Sequence, residues 1–145
     1  MIRALAPSDL DAVMQIWLSG NEQAHPFVPA SYWRGVADAV RRELPHAEVL
    51  VHEGADGEPD GLIGLTGNYV AGLFVSRDAR SRGIGSALLA EAKRRHRPLS
   101  LHVYRDNERA VAFYLREGFV VVDEGTDAST GAAEYEMAWG EGHGA

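Results

Sequence analysis

Three groups of residues in this chain have the types and spacing to do chemistry together. Arg80, Gly83 and Gly85 stand as R-x-x-G-x-G between the apolar run YVAGLFV (69–75) and the segment rich in alanine and leucine that follows. Glycine at 83 and 85 leaves no Cβ to obstruct a diphosphate, and the N–H groups opening the next helix lack partners within it, so they and the helix dipole favour an anion. A structural turn can use the same glycines. Two other phosphate loops are excluded: a dinucleotide fingerprint needs glycine where Leu88 stands, and a Walker loop needs a lysine that is missing there. Downstream, Asn107 and Tyr114 are seven residues apart, which on one helix places them on one face, about 10.5 Å apart along the axis. Such a face suits a long, thin ligand. In LSLHVY (99–104), Leu101 and Val103 share one side of a strand while His102 and Tyr104 share the other. If the apolar pair turns to the core, His102 looks into a cleft.

The elements that must hold these residues are read from the turn chemistry. IRALA (2–6) is a short strand, and Ser8 opens S-D-L-D, a capping signal for a helix that Gly20 should end near Ser19. HPFVPASYW (25–33) connects to a second helix from about Ser31 to Leu44, stopped by Pro45. AEVLVHE (47–53) is a strand, and LIGLTG with YVAGLFV makes a hairpin about Gly67-Asn68. After the glycine loop come a helix to Arg95, the strand LSLHVY, and a helix closed by Gly118 at the C′ position. The strands FVVVDE and AEYEMAW (133–139) finish the chain, and residues 140–145 read as a frayed tail. The order βααβββαβαββ predicts one domain over residues 1–139, an α/β fold with a single mixed sheet and helices on its faces.

Composition bounds the function. The chain has 145 residues, 46% hydrophobic and 24% charged, enough for one core. No apolar run approaches a membrane span, and the N-terminus lacks a secretory pattern, so a cytoplasmic location without membrane attachment is expected. Cysteine is absent, which removes disulfides, thiolate metal sites and a cysteine nucleophile. The six histidines (25, 46, 52, 96, 102 and 143) contain no H-x-x-x-H pair, so no metal site is expected. The net charge of −7 hides a local +5 over residues 77–97 against −12 for the rest. An acidic protein with a basic island suits a small polyanion better than nucleic acid, so no nucleic-acid partner is expected. Lys93, Arg94, Arg95 and Arg97 also complement a helix C-terminus, but Arg80 and Arg82 stand in the loop itself.

The loop and the downstream run N-x-x-A-x-x-F-Y-x-x-x-G-F (Asn107, Ala110, Phe113, Tyr114, Gly118, Phe119) together resemble the GCN5-related N-acetyltransferases. The spacing between the motifs and the element order match that family over nearly the whole chain. HPFVPASYW, with Met137 and Trp139 in the last strand, further resembles a bacterial subgroup of small members that includes protein-lysine acetyltransferases. The resemblance implies a mostly antiparallel sheet of six or seven strands with about four helices and splayed central strands. It implies acetyl-CoA as the donor, with Arg80, Ser81, Arg82, Gly83, Ile84, Gly85 and Ser86 around its diphosphate. Free N–H groups at Phe74 and Val75 would meet the pantetheine arm and the carbonyl, and Asn107 would contact the cofactor. Tyr114 would stand near the sulfur as the general acid, the alternative being a core residue whose hydroxyl reaches water. Some peptide-acetylating relatives carry a glutamate base at the place of His102; histidine there can still accept a proton, or water can do so.

An unperturbed lysine (pKa about 10.4) lies about 4.6 kcal/mol from its neutral form at pH 7, so a positioned base is useful. With no cysteine, direct attack of an amine on the bound thioester is the simplest route. The acceptor, a small-molecule amine or a protein lysine, should enter past His25, Phe27, Tyr32 and Trp33, with Asp123, Glu124 and Asp127 nearby. Phe27 and Trp33 can equally be core anchors. Two functions of different class fit: an active N-acetyltransferase, or a non-catalytic acyl-CoA-binding module that senses or regulates. Either would be a monomer or a homodimer.

Overall fold

The computed structural model describes residues 1–140. The anticipated order is found: β1 (Ile2–Ala4), α1 (Leu10–Ala24), α2 (Ala30–Glu43), β2 (Glu48–Glu53), β3 (Pro59–Thr66), β4 (Tyr69–Val75), α3 (Ile84–Arg95), β5 (Leu99–Tyr104), α4 (Glu108–Arg116), β6 (Val120–Thr126) and β7 (Ala133–Trp139). They build one seven-stranded sheet in the order β1-β2-β3-β4-β5-β7-β6. Every neighbouring pair is antiparallel except β4 with β5. The expected tail lies, beyond Gly140, outside the described residues. Among the described residues no helix is long and apolar enough to cross a membrane.

The period-two pattern of the central strands sorts side chains onto two faces. Ile63, Leu65, Val70, Leu101, Val103 and Met137 point to the face covered by α3 and α4, where they pack with Leu88, Leu89, Ala92 and Tyr114. Val49, Val51 and Leu62 point to the other, against Val13 and Ile16 of α1. Leu88 and Leu89 are fully buried, and each such leucine contributes about 1.5–3 kcal/mol. That burial, rather than helix propensity, holds the polar-backed α3 on the sheet.

Two expectations about α1 are corrected. The helix does not end near Ser19 but runs through Gly20 to Ala24. A Cβ at Gly20 would lie 3.0 Å from the ring of Phe74, so glycine stands there to admit an aromatic ring. Its cost within a helix, about 1 kcal/mol, is offset by that packing. Nor does Ser8 cap the helix. Pro7–Asp9 forms a separate 3-10 turn, and the Asp9 carboxylate accepts the Ala6 N–H (2.7 Å) and two bonds from the Arg3 guanidinium (2.7 and 3.0 Å). This buried carboxylate pins the start of α1 to β1 at the sheet edge.

The Arg3 hydrogen bonds hold the Asp9 carboxyl below its ordinary range, against the opposing effect of burial. A depressed folded pKa contributes stability that is complete above the unfolded value, about 3.9, and is lost as pH falls through the folded value. Asp9→Asn should therefore cost about 1–3 kcal/mol at pH 7 in urea unfolding, with the penalty shrinking below about pH 4. Wild-type stability of the variant at pH 7 would contradict this role.

Candidate active site

The site is made by a break in the sheet. β4 and β5 are joined by only two residue pairs, Tyr69 with Ser100 and Val70 with Leu101. Beyond them the strands part, leaving the edge of β4 that faces β5 without a strand partner. The register of β3 against β4 slips between Gly64–Gly72 and Leu65–Val70, so Ala71 is the extra residue of a bulge, and a bulge bends and twists its strand. Gly72 comes next. A Cβ there would lie 2.6 Å from the Phe74 ring, so this glycine admits the chain's own aromatic ring. The fork opens into a cavity of about 950 Å³.

One end of the cavity is the glycine loop. Ser81 (φ 66°) and Gly83 (φ 77°) both take left-handed conformations, costly for a serine, and no side chain caps α3. The Ala87 N–H reaches the Gly83 carbonyl at 3.0 Å, so the N–H groups of Ile84, Gly85 and Ser86 precede the first helical bond and stay free. Arg80 is turned inward. Its Nε donates to the Val75 carbonyl (3.5 Å) and Nη2 to Gln23 Oε1 (3.2 Å), tethering the loop to β4 and α1. Burial, followed by the charges of Arg109 and Arg77, lowers its pKa. The Ser86 hydroxyl donates to Glu117 at 2.9 Å, so its backbone N–H is the donor left for a ligand. Among the described residues Arg77, Arg80, Arg82, Arg109 and Arg116 pair with no carboxylate. Unpaired like charges gathered beside a helix N-terminus suit a polyanion.

Helix α4 supplies Tyr114 and is fixed at both ends. Asn107 is the N-cap, outside the helix (φ −85°, ψ 71°), so the same-face geometry expected for Asn107 and Tyr114 does not apply. Its Oδ1 accepts the Ala110 N–H at 3.3 Å, and its Nδ2 lies 3.1 Å from His25 Nε2. At the other end the Phe119 N–H reaches the Tyr114 carbonyl (3.0 Å) and the Gly118 N–H the Leu115 carbonyl (3.2 Å), with Gly118 at φ 95°. This is a Schellman closure, and the Phe119 ring meets the Tyr114 ring edge-on at 5.6 Å. Tyr114 is buried on the wall of the cavity, and burial pushes its phenol well up, so it holds its proton at neutral pH.

The other face of the fork carries His102, as strand alternation requires. Leu101 and Val103 are buried against the face that bears Tyr114, and His102 is exposed on the opposite side. Its Nδ1 lies 2.8 Å from the Tyr69 hydroxyl. Tyr104 donates to Asp127 at 2.6 Å. Burial works against the ionised Asp127, yet the bonds from Tyr104 and from the Ser129 and Thr130 segment hold its carboxyl below the ordinary range. Burial, then Glu134, Glu136 and Asp127, raises the Tyr69 phenol, so this end of the cavity is rich in carboxylates. His25, Phe27, Trp33 and Tyr104 pack ring against ring, with centroids 4.8–6.4 Å apart. Burial pushes His25 down to about 4, so its imidazole is neutral beside Asn107.

Most residues singled out from sequence meet here. Phe74, Val75, Arg80, Ser81, Gly83, Ile84, Gly85, Ser86, His102, Asn107, Tyr114, His25 and Trp33 line the one cavity. Arg82, Phe27 and Tyr32 do not: Arg82 is exposed, and the two rings back the wall from behind. Asp123 and Glu124 lie within β6 and do not line the cavity, whereas Asp127 does. Sequence reasoning passed over Tyr69, Arg109, Arg116 and Glu134, which also line the cavity. Glu134 was readable from the alternation of AEYEMAW. Tyr69 was not, because its partner lies across a parallel pairing that no local pattern encodes.

Comparison with known proteins agrees with this geometry. The model of the Acetyltransferase (GNAT) family matches residues 10–119. The peptidyl-lysine N-acetyltransferase YiaC of Escherichia coli (strain K12) is 37% identical over 141 residues, 96% of each chain. The peptidyl-lysine N-acetyltransferase YjaB of the same strain is 32% identical over 120 residues, 83% of this chain and 82% of that one. The solution structure of apo YjaB from Escherichia coli superposes with a TM-score of 0.86 at 28% identity, covering 96% of both chains. A forked sheet, an uncapped helix after a glycine loop and a buried phenol at the fork thus occur here in a chain that belongs to the GNAT family of acetyltransferases.

Proposed function

We propose that this enzyme moves an acetyl group from acetyl-CoA to the side-chain amine of a lysine within a peptide or protein. The observation that carries this reading is the two-ended cavity. Free backbone N–H groups and unpaired arginines stand at one end, and Asp127 and Glu134 at the other, with the parted strands between. The chain's groups fit the donor. The N–H groups of Ile84, Gly85 and Ser86 hold the diphosphate, and the open edge of β4 takes up the pantetheine amides. The Val75 N–H, which strand alternation turns to the open edge because those of Phe74 and Ser76 face β3, polarises the thioester carbonyl.

The acid and the base approach from opposite faces. Tyr114, on the α4 side, donates its proton toward the departing sulfur. Its raised pKa keeps the proton available, and the same burial raises the basicity of a thiolate there. His102, on the other side, receives the proton that the incoming ammonium must lose. Tyr104, Asp127 and Glu134 surround that ammonium. With no cysteine in the chain, the amine attacks the thioester directly. Lysine is favoured over a small polyamine because relatives that align over most of their length are named for peptidyl-lysine acetylation. A sensor without turnover would need neither Tyr114 nor the carboxylate end.

Thiol release with acetyl-CoA and a panel of lysine peptides, amino acids and polyamines tests the acceptor. Lysine peptides should react fastest and gain an acetyl group on the side chain by mass spectrometry; turnover of polyamines alone would overturn the assignment. Tyr114→Phe should lower kcat by about 100-fold and leave the calorimetric Kd for acetyl-CoA within a few-fold. Undiminished turnover would remove Tyr114 as the acid.

A further inference from the structure

Buried polar side chains in folded proteins are almost always hydrogen-bonded. On the wall that α1 and α2 give the cavity, three leave a polar atom unpaired. Asn21 is 3% exposed and Trp33 7%, and both line the cavity together with His25. Trp33 Nε1 and His25 Nδ1 are buried with no hydrogen-bond partner among the described residues. Asn21 uses only half of its amide. It reaches the Trp17 carbonyl at 2.9 Å, and a carbonyl only accepts, so Nδ2 points there. Among the described residues nothing donates to its Oδ1. Asparagine suits a helix poorly on propensity, and burying half an amide unpaired adds to that cost. Packing alone gives no reason for it in α1.

Each unpaired atom has a defined polarity. The indole N–H only donates. Asn107 Oδ1 accepts the Ala110 N–H, so its Nδ2 is the group that faces His25 Nε2 at 3.1 Å. That ring nitrogen therefore accepts, and the one hydrogen of the neutral imidazole stands on Nδ1. The wall thus offers two donors and one acceptor, and they are neighbours. His25 follows Asn21 by one turn, its N–H on the Asn21 carbonyl at 3.0 Å, and the His25 and Trp33 ring centroids lie 5.5 Å apart.

We propose that Asn21, His25 and Trp33 form a subsite for the main chain of the acceptor lysine, Asn21 Oδ1 accepting its N–H and the His25 and Trp33 N–H groups donating to its carbonyl. It rests on the reading of the acceptor as a peptidyl lysine and names the part of the peptide that is recognised. In an extended chain the N–H and C=O of one residue point to the same side, as along a strand edge, so one wall can pair with both. A simple alkylamine brings neither group and leaves all three atoms unpaired. Free lysine brings an ammonium and a carboxylate, charges that are costly to bury against neutral partners. Both ring nitrogens are closed to solvent, so the peptide meets them as the rings turn, a side-chain adjustment common at binding surfaces. A site of this kind discriminates strongly, because an analogue without the amides leaves buried groups unsatisfied.

Thiol release with acetyl-CoA should be followed for three acceptors that share the lysine amine stem: Nα-acetyl-lysine N-methylamide, free lysine and pentylamine. Wild-type kcat/KM for the diamide should exceed that for pentylamine by about 100-fold, with free lysine close to pentylamine. Asn21→Leu and Trp33→Phe should each lower kcat/KM for the diamide by about 10-fold, chiefly through KM, so that the ratio of diamide to pentylamine shrinks. Thermal melts confirm that each variant is folded, and the calorimetric Kd for acetyl-CoA should stay within two-fold. Equal wild-type turnover of the diamide and pentylamine would overturn the subsite while leaving acetyl transfer to amines intact, a result that requires no variant. Losses that fall equally on both acceptors would also overturn it. So would a weakened Kd for acetyl-CoA, which would assign the wall to the amides of the donor. If no amine reacts, lysine peptides included, acetyl transfer itself fails and the subsite with it.

Discussion

The parting of β4 from β5 after two residue pairs is the constraint from which the site follows. Backbone N–H and C=O groups inside a sheet are normally paired, and an open inner edge is costly unless something else satisfies it. Here the bulge at Ala71 bends β4 where the strands part, and the ring of Phe74 packs over Gly72 against Gly20 of α1. A closed sheet would separate its two faces completely. The fork lets a phenol rooted in α4 and an imidazole rooted on the opposite side of β5 address the same point, and it leaves a row of amides for an extended ligand to pair with.

Charge is arranged around that opening with equal economy. The chain is acidic overall, yet residues 117–136 alone hold six carboxylates and no base, while the loop and α4 hold arginines that no carboxylate neutralises. The left-handed Ser81 and Gly83 aim the first amides of α3 at the same place as those arginines. On the proposed reading, a polyanion and a cation are drawn to opposite ends of one cavity before any specific contact forms. Structural supports reinforce the division. Lys93, the chain's single lysine, donates to the Glu117 carbonyl and lies over the rings of Phe119 and Trp139, well away from the fork.

Much of the fold was legible because its punctuation is strong. The Gly67-Asn68 turn, the αL closure at Gly118 and the period-two strands placed every element in order. What failed did so for tertiary reasons. Gly20 was read as a stop signal, yet its missing Cβ accommodates Phe74, fifty-four residues away in sequence. Ser8 looked like a cap, but Asp9 had a better partner in Arg3. Asn107 and Tyr114 were found by spacing, although the geometry behind them was a cap followed by a helix, not two points on one helix. The loop residues were legible because a glycine turn that opens a helix is local. The Tyr69–His102 contact was not, since strand order and register assemble it from β4 and β5.

The central claim, that the fork and the glycine loop together grip the acetyl donor, is tested most directly by an amide NMR titration with coenzyme A. Shifts should concentrate on Ile84, Gly85 and Ser86 and on the β4 amides from Gly72 to Val75, saturating together at one-to-one stoichiometry. A spectrum that does not move, or shifts confined to the outer strands β1, β2 and β6, would contradict the account.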